Sequence, residues 1–415
     1  MHEKACSRVF LTLCILTIGV PPSLCEDSEP KRYMFTLSAV REMARTRAPR
    51  LLAARARIGV ARGERVNASI WQPTNPEVIV AAGPRRLDGE NIGTDVEIGI
   101  GQRFELGGRR RSRLERADAG IARADATSND AERELLRSVS ASFVATLHAE
   151  RSLDVVRESE RLFGEIRRVT EQRYEAGDVG ILDPYAASMA HARSLARLAE
   201  VEATRVLAAR ELRALLGLEA DAEIVVKGDL EKRRRYALGA LIEQAASRPD
   251  LKAIDARIGE MQAEQRLARG FRAPDLGAFI NYSQEEGADI VKGGLSIVLP
   301  FVNKGQGRLA VAEAEERALR LDFQAAQAVV GTDVRSWFEA FSLLDSAASR
   351  FESDDLPRVQ EMLDLARRSY ESGNIPFAEL LILQRETVET RQAYLDLILQ
   401  AALVSIELEA AAGVL

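Results

Sequence analysis

Two short stretches, Arg173-Tyr-Glu-Ala-Gly-Asp-Val-Gly180 and Ser369-Tyr-Glu-Ser-Gly-Asn-Ile-Pro376, carry nearly one pattern 196 positions apart. In each, a long helical pattern ends in Tyr-Glu-small-Gly. A polar residue follows (Asp178 or Asn374), then a β-branched one (Val179 or Ile375), and soon a proline (Pro184 or Pro376). Glycine just past a helix end takes the left-handed conformation that stops it, and proline in a first helical turn costs no hydrogen bond. Each stretch therefore predicts the tip of a helical hairpin, and a tip that occurs twice raises the question of duplication.

The rest of the chain answers it. Ala56-Arg57-Ile58-Gly59 returns as Ala256-Arg257-Ile258-Gly259, and Pro49 is matched by Pro249, both 200 positions on. Asn75-Pro76 is matched by Ala273-Pro274. The expected organisation is a first repeat over residues 26–235 and a second over 236–415. Each opens with a helix; the first spans Thr36 to about Asn67 and is kinked or split at Pro49. A β-hairpin follows, at about 76–105 and about 274–301. In the first hairpin, Glu77 to Gly83 reads as a short strand and Arg85 to Gly93 as a polar turn region. Val96, Ile98, Ile100 and Phe104 then alternate with Glu97, Gly99, Gly101 and Arg103, giving one apolar and one polar face. In the second hairpin an acidic loop, Glu285 to Asp289, separates Leu276–Gln284 from Val291–Leu299. A long helical hairpin completes each repeat, with tips at 177–180 and 373–376.

No proline occurs between Arg109 and Asp183. Some 65 helical residues at about 1.5 Å each extend roughly 100 Å, more than a globular domain needs. Val155, Leu162 and Val169 fall at heptad spacing with Ile166 beside them, as in a coiled-coil seam. From Pro184 a returning helix runs to about Leu216, then an equatorial segment over about 217–235 in which Glu223–Val226 is a candidate strand. The second long helix, from about Gly307 to Tyr370, is interrupted only by Pro357. The last helix reaches about Gly413.

Among the 415 residues the hydrophobic share is 46%, the charged share 29% and the aromatic share 5%. That is the composition of long, closely packed helices rather than of an aromatic pocket. A net charge of −6 gives no reason to expect nucleic acid. Lys4 and Arg8 precede an apolar run from Val9 to Val20, broken by Pro21 and Pro22, which predicts an export signal over residues 1–25. Cys6, Cys14 and Cys25 all lie within it, so the exported chain has no internal disulfide. Pro22 stands where a lipidation signal at Cys25 would have leucine. His148 and His191 sit alone on charged helical faces and read as solvated residues rather than metal ligands.

Four alternating strands have open edges and an apolar face with little in the chain to cover it. In an exported chain they fit an outer membrane, closed by oligomerisation. The signal, the Asn-Pro-led first hairpin, the run from Phe104-Glu-Leu-Gly-Gly to Arg113, its counterpart Leu299-Pro-Phe-Val-Asn-Lys-Gly305 and the duplicated tips resemble the TolC-type outer-membrane efflux channels. The Glu105-to-Arg113 run is most similar to the CzcC-like branch, the outer component of heavy-metal exporters. The resemblance spans the whole mature chain. It implies a mainly α fold with a small β part: duplicated helical hairpins forming a trimeric α-barrel, and four strands per chain contributing to a twelve-stranded outer-membrane β-barrel. It further implies a homotrimer, a periplasmic adaptor protein at the tips and an inner-membrane pump of the RND type. The chain stops soon after its last helix, so the C-terminal extension that some members wrap around the tunnel is not expected, leaving less equatorial structure.

No nucleophile–base–acid set, cofactor site, metal site or phosphate loop emerges. Gly99-Ile-Gly101 lacks the third glycine of a dinucleotide fingerprint and lies in a strand. The basic run Arg109 to Arg113 has no interleaved aromatics for nucleic acid and reads as a membrane rim with arginines reaching lipid headgroups. Function is then passive conduction of heavy-metal cations, with drug or small-organic export, or a periplasmic coiled-coil scaffold, as alternatives. Asp183 and Glu379, 196 apart, are candidate carboxylates of a periplasmic gate. Asp183, before Pro184, also reads as a simple N-cap. Gly177, Asp178, Val179, Gly180, Gly373, Asn374 and Ile375 are the candidate adaptor contacts, the glycines also serving the turn.

Overall fold

The computed structural model describes residues 32–87, 90–231, 234–285, 287–372 and 374–415. The expected export signal with its three cysteines, together with Asp88, Glu286 and Gly373, lies outside them.

The chain opens with strand β1 (Arg32–Phe35), then helices α1 (Leu37–Arg47) and α2 (Pro49–Ser69). Thr36 caps α1 by accepting from the Ala39 amide at 3.3 Å. Ala48, before Pro49, is extended, and Pro49 occupies the first turn of α2. A residue preceding proline is driven from helical geometry, so Pro49 splits the expected helix in two.

Strands β2 (Glu77–Leu87) and β3 (Glu90–Phe104) form the first hairpin. Ladder pairing carries through Arg85 with Gly93 and on to Leu87 with Glu90, with a shift in register at Arg85/Arg86. The polar turn expected over Arg85 to Gly93 is therefore strand almost to its tip. Backbone pairing in a ladder needs no apolar side chain, which is why polarity misplaced the boundary. The second hairpin, introduced below, corrects the acidic loop in the same way.

Next come α3 (Arg109–Glu175), 67 residues and about 100 Å long, and α4 (Leu182–Leu216). Within the paired helices, Ala149, Val156, Phe163 and Thr170 are the buried heptad positions. The expected seam of Val155, Leu162 and Val169 runs one residue ahead of it and is only partly covered.

Strand β4 (Glu223–Val226) pairs in parallel with β1, a partner not anticipated from sequence. Helices α5 (Leu238–Ala245) and α6 (Pro249–Gly270) follow, then β5 (Asp275–Glu285) and β6 (Ala288–Val298). Glu285 pairs with Ala288, so Glu285 and Asp289 belong to strands. Helix α7 (Gln306–Arg350) passes into a π-helical turn, Phe351–Asp355, before α8 (Leu356–Glu371). Pro357 cannot donate to the carbonyl four residues back and its ring crowds it, so the extra residue of the π turn absorbs the break. Helix α9 (Phe377–Ala412) ends at Gly413 in left-handed geometry.

The core lies at mid-length. Phe35, Val40, Leu136, Val139, Leu212 and Leu216 form one cluster, joined by Ile224 and Ile406, and Leu241, Val330, Val334 and Leu408 a second. Between them Glu409 accepts from Arg41 at 3.2 Å, from the Tyr236 hydroxyl at 2.8 Å and from Arg234. Burial and the Glu409 charge push the Tyr236 phenol up to about 12.

The four long strands form one antiparallel sheet in the order β2-β3-β5-β6, the two hairpins meeting at β3 and β5. Register puts Val78, Val80, Ile98, Ile100, Ile280, Val291, Leu295 and Ile297 on one face. These side chains are exposed, Val80 at 69% and Leu295 at 72%. The other face carries Glu97, Arg103, Asn281 and Lys292, with Asn281 Nδ2 donating to Glu97 Oε1 at 3.0 Å. Strands β2 and β6 are its two edges. No helix among the described residues is long and apolar enough to cross a membrane.

The basic run at the start of α3 is mostly paired. Arg109 is buried against Asp275, Arg113 binds Glu105 at 2.6 Å and Arg111 binds Glu115 at 3.0 Å. Of the four arginines in the run, Arg110 alone has no carboxylate partner among the described residues, which corrects the expectation that the run as a whole reaches headgroups.

Candidate functional site at the helical tips

The end of α3 closes as the sequence pattern requires. Gly177 has φ of 81°, its amide donates to the Tyr174 carbonyl at 3.0 Å, and the Asp178 amide donates to the Arg173 carbonyl at 2.9 Å. These are the two bonds of a Schellman cap. At the second tip the Asn374 amide donates to the Ser369 carbonyl at 2.8 Å, the equivalent bond. Asn374 Nδ2 also donates to Ser372 Oγ at 3.0 Å, which stiffens that turn. Gly177, Asp178, Gly180 and Asn374 are exposed, while Val179 and Ile375 are half-buried.

Asp183 and Glu379 both stand in the first turn of a returning helix. Their amides donate to the Gly180 and Pro376 carbonyls, each at 3.1 Å. The N-cap of α4 is Ile181, and the Asp183 side chain makes no capping bond. The N-cap reading of Asp183 is thereby overturned: the helix starts two residues earlier than Pro184 suggested. Both carboxylates sit where a helix N-terminus favours negative charge. Glu379 is exposed and Asp183 half-buried, and no bond among the described residues joins them.

One contact links the two tips. Arg173 Nη1 donates to the Tyr370 hydroxyl at 3.0 Å, and the guanidinium lies 5.4 Å from the centre of that ring. The ring in turn lies 5.7 Å from Phe377, which is buried in the first turn of α9. The last turns of α3 and α8 and the first turn of α9 are thus one cluster. Sequence reasoning read Arg173 and Tyr370 only as parts of a repeated tip. The available signal was the asymmetry of the repeat, which has arginine before tyrosine in the first copy and Ser369 in the second.

Higher up, the histidines differ from expectation. His148 Nε2 lies 2.9 Å from Asp396 Oδ1 and His191 Nε2 lies 3.0 Å from Glu160 Oε1, with both imidazoles 15% exposed. They are interhelical struts, not solvated residues. Their carboxylates come from other helices, Asp396 from α9 and Glu160 from α3 while His191 stands on α4, so no local pattern showed them. No group of three or more His, Cys, Asp or Glu suited to a metal ion occurs among the described residues.

The arrangement offers two hairpin tips, a tie between them and carboxylates at their helix starts.

Known proteins share this arrangement. The family model for outer membrane efflux proteins matches residues 40–218 and 241–414. The cobalt-zinc-cadmium resistance protein CzcC of Cupriavidus metallidurans is 23% identical over 298 residues, 71% of each chain. A membrane protein from Pseudomonas aeruginosa superposes with a TM-score of 0.77 at 20% identity, covering 91% of this chain and 92% of that one. The channel CusC superposes at 0.74 and 18% identity, again over 91% and 92%. The outer membrane protein VceC of Vibrio cholerae gives 0.73 at 19% identity over 91% and 96%. With two matched segments covering most of its length, this chain belongs to the outer membrane efflux protein family.

Proposed function

We propose that the chain is the outer-membrane channel of a tripartite exporter, passively conducting heavy-metal cations from the periplasm to the outside. The observation that carries this reading is the sheet. It has two open edges and an exposed apolar face, and it continues into helices of about 100 Å that carry no apolar span. Lipid covers such a face and neighbouring copies satisfy such edges. Three copies supply twelve strands and bring six helical tips together. The repeats at 26–235 and 236–415 each supply one hairpin and one tip. An energy-coupled RND pump in the inner membrane and a periplasmic adaptor complete the path, the adaptor meeting Asp178, Val179, Gly180, Asn374 and Ile375. Metal as cargo is supported by the similarity to CzcC.

At the tips, three copies of Glu379, with Asp183 behind, form a ring that attracts cations and narrows the entrance. Heat-modifiable trimers in the outer-membrane fraction and ion conductance in planar bilayers test the channel itself; a soluble periplasmic monomer sinks it. In the same bilayers Glu379→Ala raises single-channel conductance and weakens block by divalent cations. Unaltered conductance and block remove Glu379 from the gate. A photo-crosslinker at Val179 that never captures a co-expressed adaptor in an exporting strain removes the tip assignment. Deletion of the gene in its host lowers tolerance to cobalt, zinc or cadmium; sensitivity to organic toxicants alone reassigns the cargo.

A further inference from the structure

The level at which strands turn into helices has a composition of its own. Four connections meet there. Exposed apolar tips stand at this level: Trp71 (71%), Phe301 (75%) and Val302 (88%). The α6 terminus packs between the two strand-to-helix turns, with Gly107 against Ala273 and Gly305 against Phe271. The Phe271 ring lies between two guanidiniums, Arg109 at 5.2 Å and Arg308 at 5.1 Å from its centre.

Charge at this level is divided in an informative way. Most carboxylates here are engaged: Asp275 by Arg109, Glu105 by Arg113, and Glu115 by Arg111 and Arg266, while Glu77 at the start of β2 is exposed with no ion pair among the described residues. Hydrogen bonds from Arg266 and Arg111 hold the Glu115 carboxyl below its ordinary range. Arg110, Arg272, Lys304 and Arg308 are exposed, and no carboxylate among the described residues pairs with them. Arg110 reaches only the Ser69 carbonyl, at 3.3 Å. One copy therefore presents four outward cations beside apolar and aromatic tips, directly below the apolar face of the sheet.

We propose that this collar is a binding site for the headgroups of anionic phospholipids in the periplasm-facing leaflet. The inference rests on the outer-membrane reading above and adds a lipid class to it. An aromatic ring at a membrane surface sits at headgroup depth, and Trp71 and Phe301 set that depth here. Guanidinium forks match phosphate oxygens with paired hydrogen bonds, which a zwitterionic headgroup partly cancels. The arginine stem lies along apolar surface while its head reaches water, as Arg308 does over Phe271. Stacking on Phe271 also removes rotamer freedom before lipid arrives, so less is lost on binding.

Tryptophan fluorescence reads the collar directly, because Trp71 lies in it and the other tryptophan, Trp337, is half-buried against the mid-length core. The full-length protein is reconstituted in phosphatidylcholine vesicles containing, at equal mole fraction, phosphatidylglycerol or phosphatidylcholine with brominated chains. Trp71→Phe defines the signal that belongs to Trp71. The expected result is an apparent association of phosphatidylglycerol at least about five-fold above phosphatidylcholine, the factor one cation near an anionic surface supplies. The preference shrinks in high salt. It falls to near parity in the combined Arg110→Gln, Arg272→Gln, Lys304→Gln, Arg308→Gln variant and is reduced but not abolished when the three arginines become lysine, which keeps the charge and loses the fork. Equal quenching by both lipids in that glutamine variant also shows that it has folded and inserted. Parity in the unaltered protein, or a preference the glutamine variant keeps, overturns the lipid site and leaves the membrane reading standing. Absence of Trp71 quenching by either lipid overturns both.

Discussion

Glu409 is the residue whose surroundings say most about how this fold tolerates charge. It is 9% exposed and serves Arg41, Arg234 and Tyr236, drawn from α1 and from the segment leading into α5. A carboxylate taken from water is stable only when its partners are in place, and removing it strands two guanidiniums. Replacing one member of such a pair costs about 3–5 kcal/mol, discounted here because Arg234 is 36% exposed. Glu409→Ala is therefore expected to lower the unfolding free energy by an amount nearer ~3 kcal/mol, measured by urea unfolding of the refolded chain. Glu316 behaves differently. Hydrogen bonds from Gln262, Arg320 and Gln265 bring its carboxyl down from 4.5 to about 2. A depressed carboxyl contributes stability above the unfolded value and loses it as pH falls through the folded one. The link between α6 and α7 should accordingly weaken between pH 4.5 and about 2. Glu316→Gln should flatten that limb of an acid titration by about 1 kcal/mol, the scale of a solvent-screened pair.

Elements are set by short signals, and the tips show how far those signals reach. Gly177 and Gly217 both have positive φ, at 81° and 68°. A side chain at Gly177 meets open space, whereas one at Gly217 meets the Pro49 ring at 2.6 Å. Left-handed geometry costs a residue with a Cβ about 1–2 kcal/mol. Gly177→Ala should stay near that figure, and Gly217→Ala should exceed it because the α4 end cannot move away from α2. Thermal melts of the two variants in one detergent compare them directly. The π turn before Pro357 is the corresponding defect in the second half. Pro357→Ala restores the missing donor and should convert Phe351–Asp355 to regular α-helix. The change rotates everything beyond it, including Tyr370, by about one residue. Loss of the Arg173–Tyr370 bond then raises conductance in bilayers, as Tyr370→Phe should do without the rotation. Conductance that rises in neither variant separates this bond from gating.

At the scale of the whole molecule, the sheet is the feature left uncovered. Its sheet exposes Ile98, Ile280 and Leu295 on one face and leaves two edges unpaired. If lipid covers that face, Ile280→Arg costs about 2–4 kcal/mol near the bilayer midplane, while Lys292→Ala on the opposite face costs little. Yield of heat-modifiable oligomer after refolding into vesicles separates the two. Equal yields place the Ile280 face away from lipid.

Much of this fold was legible in residues because its determinants are local. Proline-free periodicity gave the length of α3, Gly177 gave a helix end, and Pro49 gave a break. Alternation gave the faces of β3. The tip carboxylates were legible only as positions in a first turn. What sequence alone could not supply involved partners far away in the chain. The strand β1 needed β4, some 190 residues on, before its four residues meant anything. The polar ends of the hairpins remained strand because a ladder is made of backbone groups that every residue carries. His148, His191, Arg173 and the Arg109 run acquired their roles from carboxylates or rings on other helices, and a charge shows no partner in its own neighbourhood. The sequence by itself determined two helical hairpins with their tips at Gly177 and beside Asn374. Tertiary structure alone decided that Arg173 ties them together and which arginines at the foot of the sheet lack a carboxylate among the described residues, because pairing depends on distances that only packing sets.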